Sequence, residues 1–125
     1  MLTKKDKELL RGNIFRHLDG IAIATTTYAL HKNGVLQYLL DYKIVTLTKI
    51  TSHFNANEGY LNVALRLLCS QGWLNQNVDN EKDIVSFSIN EKSKQAFSYA
   101  HIYKDAVTIL NYAVKFPEER IGSDA

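Results

Sequence analysis

The chain has 125 residues, enough for one domain with a real core. Its composition, 46% hydrophobic and 22% charged, is ordinary for a soluble globular protein, and a net charge of +2 excludes a strong electrostatic preference for nucleic acid or an anionic membrane. One cysteine excludes an internal disulfide, and no apolar run approaches the roughly 18 residues that a membrane span needs.

The amino terminus reads Lys4-Lys5-Asp6-Lys7-Glu8 with no apolar region after it, so it is not a signal peptide and a cytoplasmic location is the default. Residues Thr3 to Leu10 are helix formers, and Thr3 with Asp6 makes a capping pair. Gly12-Asn13 interrupts, Ile14, Phe15 and Leu18 begin an apolar face, and Gly20 loosens it. Ile21 to Lys32 then reads as a helix. Residues 20–30 carry no charge, whereas a surface helix carries charge on its outer side. This helix is therefore expected to be covered on more than one side, the second cover coming from a partner subunit or another domain.

Asn33-Gly34 is a turn signal. Val35, Leu36, Leu39 and Leu40 make a short helix that ends near Asp41-Tyr42, and Ile44 to Leu47 is a short β-branched strand. Thr46 or Thr48 caps a helix over Lys49 to Phe54, and Asn55-Ala56-Asn57 is the turn after it. In the next segment Leu61, Ala64, Leu65, Leu68 and Cys69 fall on one helical stripe. Asn57 caps that helix and Gly72 closes it, because glycine takes the left-handed conformation without a Cβ penalty. Trp73 to Val78 and Ile84 to Ile89 are strands around the polar tip Asp79 to Asp83. Asn90 or Ser93 caps a long last helix, about Glu91 to Lys115, which Pro117 stops ahead of a polar tail.

The fold class that results is mainly α with a small β-hairpin. It is a winged helix-turn-helix with an N-terminal helical extension and a long C-terminal helix. The expected units are residues 1–19 as the extension, 20–116 as the winged helix with its C-terminal helix, and 117–125 as a tail or linker.

Chemistry-bearing residues are sparse. His17, His31, His53 and His101 show no metal-ligand spacing, Cys69 sits on an apolar stripe as a small hydrophobe, and no nucleophile triad or phosphate loop is present. No catalytic, cofactor-binding or metal-ligating residue is assigned. Tyr28, Phe15, His17 and Tyr103 are expected to face a pocket, with no role attached. DNA binding is disfavoured on charge. Asn57 to Gly72 holds one glutamate against one arginine, and the hairpin tip sets Asp79, Glu81 and Asp83 against Lys82, a net of −2 beside any phosphate backbone.

Two segments carry a resemblance. Ile21 to Leu39 resembles the opening of small-molecule O-methyltransferases, where an alanine-rich helix runs into a glycine-hydrophobic-hydrophobic step, here Gly34-Val35-Leu36. Ala64 to Leu74 is similar to the same family's LRxLxxxGhh segment, and Ser88 to Ser93 resembles its LTxxG step, with Ser93 where glycine is common. The resemblance implies a non-catalytic N-terminal domain of an S-adenosylmethionine-dependent methyltransferase that acts on a small molecule or a carrier-bound biosynthetic intermediate of polyketide type. Such a domain forms the dimer and lines one side of the substrate pocket. S-adenosylmethionine would belong to a downstream Rossmann-type domain, whose linker would begin near Ala125. The expected partners are a second copy, a C-terminal catalytic domain, or both, with no membrane and no nucleic acid. The helix over residues 3–18 departs from the simplest pattern of that family. The alternative is a winged-helix transcriptional regulator reading DNA with residues 58–66, and a third reading is a protein-interaction domain.

Overall fold

The computed structural model describes residues 1–124, with side chains placed through Ala113 and at Lys115. A 29-residue helix, α1 (Lys4–Lys32), opens the chain. It starts at a complete capping box: the Asp6 amide donates to Thr3 Oγ1 at 3.1 Å and the Thr3 amide donates to Asp6 Oδ2 at 3.0 Å. The breaks expected at Gly12-Asn13 and Gly20 are not found, so the boundary expected at residue 20 falls inside one helix. A glycine costs a helix about 1 kcal/mol, whereas a break leaves several backbone groups unpaired at each new end. The break is the costlier of the two, so the helix continues.

Gly34, at φ +84°, turns the chain into α2 (Val35–Tyr42). β1 (Ile44–Thr46) follows, then α3 (Leu47–Phe54), capped by Thr46, whose Oγ1 accepts from the Lys49 amide at 3.2 Å. α4 (Glu58–Ser70) begins at Asn57, whose Oδ1 accepts from the Tyr60 amide at 2.9 Å. It ends as expected at Gly72, φ +80°. There the Gly72 amide donates to the Cys69 carbonyl and the Trp73 amide to the Leu68 carbonyl, at 2.9 and 3.1 Å.

β2 (Asn75–Asp79) and β3 (Ile84–Ser88) form the wing, and β1 adds to it in the order β1-β3-β2, all antiparallel. Val45 faces Phe87 across β1 and β3, and both are buried. The core gathers Leu36, Leu39, Ile50, Leu65, Leu68 and Phe87 from every layer, each at most 3% exposed. The stripe read from the sequence of α4 is buried at Leu61, Ala64, Leu65 and Leu68, while Cys69 is half-buried.

The long C-terminal helix is found, but it begins at Tyr103 and not near Glu91. The segment divides into α5 (Ser93–Ser98), a 3-10 turn (Ala100–Ile102) and α6 (Tyr103–Asp124). Phe97 and Ala100 sink into the core, and α6 leaves in a new direction to lie along α1. Asn90 and Ser93 are not side-chain caps of a helix end either. The Asn90 amide donates to Ser93 Oγ, and that hydroxyl donates to the Trp73 carbonyl, tying the turn before α5 to the end of α4. α6 also continues through Pro117, where a stop was expected. A proline removes one helical hydrogen bond, and the neighbouring turns keep theirs. Of the expected tail, Ala125 lies outside the described residues. Among the described residues no helix is long and apolar enough to cross a membrane.

Candidate functional site

An exposed apolar surface lies on α1 and α6. Along α1, Leu10, Ile14, Leu18 and Ile21 succeed one another at helical spacing, and they are 53%, 49%, 55% and 46% exposed. Phe15 beside them is exposed as well. A single copy of the chain leaves these side chains without cover, and a contiguous apolar patch of this kind marks an interaction surface. Where α6 crosses α1, His17, Ile21, Ala24, Val107, Leu110 and Ala113 line a groove of about 570 Å³. Ile109 lines the same groove from α6 and is exposed.

Two threonines of these helices bond back to their own backbone, while His17 keeps a polar ring on the groove wall. The Thr25 hydroxyl donates to the Ile21 carbonyl at 2.8 Å, and the Thr108 hydroxyl to the Lys104 carbonyl at 2.9 Å. A threonine bonded this way spends its hydroxyl on the helix backbone, so Thr25 adds little polarity to the groove wall. The uncharged stretch 20–30 is thus only partly covered: Thr27 and Leu30 are buried, residues 22–26 are half-buried, and Ile21 is exposed.

The second surface is the outer side of α4 and the wing. α4 shows Glu58, Tyr60, Val63 and Arg66 to solvent, with Tyr60 61% and Val63 59% exposed. Arg66 is the one cation on this helix. At the wing tip the Asp79 carboxylate accepts from the amides of Glu81 and Lys82 at 3.1 and 3.2 Å, which fixes the turn and keeps its negative charge at the tip. A duplex would meet a helix face with one glutamate against one arginine, and an acidic wing.

The four residues expected to face a pocket do not converge. His17 lines the α1–α6 groove and Phe15 lies on the exposed face of α1. Tyr28 is half-buried near His31, with ring centroids 6.4 Å apart. Tyr103 belongs to a different cavity, beside Trp73. Among the described residues no three His, Cys, Asp or Glu side chains come together to hold a metal. Burial raises the Cys69 thiol pKa above its ordinary value. Sequence reasoning missed the cavity beside Trp73, because its walls come from segments that are joined by tertiary hydrogen bonds of Asn90 and Ser93, about 15–20 residues apart in sequence.

A family model described as the AprA N-terminal domain matches residues 10–76. No curated protein matches the chain. Among solved structures, a MepR-like protein complexed with pseudoligands superposes with a TM-score of 0.51 at 14% identity, covering 97% of this chain and 90% of that one. The YusO protein of Bacillus subtilis superposes at 0.50 with 10% identity, over 96% and 88% of the two chains. The transcriptional regulator BldR from Sulfolobus solfataricus gives 0.48 at 14% identity, over 99% and 100%. At these identities the likeness concerns the fold alone, and that fold is the winged helix, mainly helical with a three-stranded antiparallel sheet.

Proposed function

The chain belongs to the AprA N-terminal domain family, and from that premise we propose that it is the dimerisation and substrate-lid domain of an S-adenosylmethionine-dependent methyltransferase acting on a small molecule or a carrier-bound biosynthetic intermediate. The observation that carries the dimerisation half is the uncovered apolar surface of α1 and α6. In this reading a second copy covers Leu10, Ile14, Leu18 and Ile21, and the groove behind them faces the substrate side. What supports the methyltransferase half is position. The matched stretch, residues 10–76, spans both segments, 21–39 and 64–74, on which the O-methyltransferase resemblance rests. Its description as an N-terminal domain also fits a unit that precedes a catalytic one. In this arrangement the domain contributes no reacting group. It excludes water from the substrate and holds two catalytic domains at a fixed separation, while S-adenosylmethionine binds downstream.

Calorimetry of the full-length natural protein with S-adenosylmethionine tests this. Saturable binding is expected, and its absence removes the methyltransferase reading.

The second reading is a DNA-binding regulator, and the observation in its favour is the winged-helix fold itself. The likeness to solved structures gives no support to excluding nucleic acid, so charge alone weighs against this reading. It requires a salt-dependent gel shift. A flat titration with duplex DNA at low salt eliminates it. If binding does appear, Arg66→Ala should weaken it and reduce its salt dependence.

A further inference from the structure

Beside Trp73 lies an open groove of about 400 Å³. Three aromatic rings line it, Trp73, Tyr99 and Tyr103, together with Glu91, Lys92 and Gln95. They come from the exit of α4, the turn before α5, α5 with its C-terminal end, and the start of α6.

Hydrogen bonds hold these walls in place before any ligand arrives. The Trp73 carbonyl accepts from Ser93 Oγ at 2.5 Å, and Ser93 is fully buried. Asn90 Nδ2 donates to the Gly72 carbonyl at 3.0 Å and to Asn75 Oδ1 at 3.2 Å. The backbone of Gly72-Trp73 is therefore fixed against the turn that carries Glu91 and Lys92. Gln95 Nε2 donates to the Tyr99 hydroxyl at 2.7 Å, which orients the Tyr99 side chain from one turn away. Lys92 Nζ lies 3.9 Å from where a Cβ on Gly72 would sit, at one end of the site.

Aromatic faces attract cations through the ring quadrupole, and a carboxylate among them adds Coulombic attraction. We propose that Trp73, Tyr99 and Tyr103, with Glu91, form a binding site for a methylated ammonium group, with Lys92 limiting its affinity from one end. A methylated ammonium suits the site better than a free amine, because it donates few or no hydrogen bonds and its methyl groups pack against rings. The site is independent of the methyltransferase reading and of dimerisation through α1 and α6.

The test uses tetramethylammonium chloride as the probe and the fluorescence of Trp73, the one tryptophan of the chain, as the readout. The expected result is a saturable change that sodium chloride at equal ionic strength does not reproduce. The neutral analogue 3,3-dimethylbutan-1-ol should bind more weakly. Glu91→Gln should weaken the cation by about threefold, and Lys92→Ala should tighten it by a similar factor. Both positions are exposed, so the variants keep the fold, which circular dichroism verifies. A change no greater than that in sodium chloride overturns the proposal. So does equal binding of the neutral analogue, or an affinity that responds to neither substitution.

Discussion

Ser93 shows how much one side chain can hold. Its hydroxyl accepts from the Asn90 amide and donates to the Trp73 carbonyl, twenty residues away, and it is fully buried. Ser93→Ala leaves a half-buried amide and carbonyl without partners, which costs roughly 1–3 kcal/mol. Urea unfolding should show that loss as a lower midpoint with an unchanged slope. Cys69 is governed by burial in the opposite sense. Removal from water disfavours the thiolate, so the folded pKa lies above the ordinary 9.0. At neutral pH Cys69 should react with iodoacetamide more slowly in the folded protein than in the urea-unfolded chain. Because the folded pKa is the higher one, this group's contribution to stability is complete below pH 9.0 and declines as pH rises through the folded value. At this scale the sequence reads Cys69 well, as a small hydrophobe on a stripe. It does not reveal the role of Ser93, because the partner carbonyl is brought close only by tertiary folding.

Among the elements, α1 and the C-terminal helices depart most from their sequence signals, for opposite reasons. Gly12 and Gly20 look like interruptions, yet α1 is continuous because a capping box starts it and a break at either glycine would leave backbone groups unpaired. A Cβ at Gly12 would meet nothing within 4 Å. Gly12→Ala should therefore stabilise α1 by about 0.5–1 kcal/mol, mostly by restricting the unfolded chain. Amide hydrogen exchange should slow along α1, and the result fails if exchange there is unchanged or faster. The segment after β3 errs the other way. Residues 91–115 show no break in sequence, but burying Phe97 and Ala100 fixes α5 against the core while α6 must run along α1. Local propensity cannot encode that change of direction. α4 was legible almost to the residue, because Asn57, the apolar stripe and Gly72 are all local signals that agree with the packing.

For the whole molecule, the decisive fact is where a single copy leaves apolar surface uncovered. The lack of charge over residues 20–30 signals a need for further cover, and the structure extends that face through Leu18 and Ile14 to Leu10. Since Ile14 and Leu18 are about half exposed in one copy, a charge at either position disturbs little within the chain. In a dimer the same charge would be desolvated against an apolar partner and left unpaired. The double substitution Ile14→Asp with Leu18→Asp thus separates folding from association. Sedimentation equilibrium should find the unsubstituted chain dimeric and the variant monomeric, with the dissociation constant raised at least about a hundredfold, or tenfold per substituted position. Circular dichroism should show the same helix content in both. A monomeric unsubstituted chain at every concentration would remove the dimerisation role and leave the α1–α6 surface to a different domain. A dimer untouched by the two aspartates would place the interface elsewhere, with the exposed Tyr60 and Val63 of α4 as the next surface to substitute.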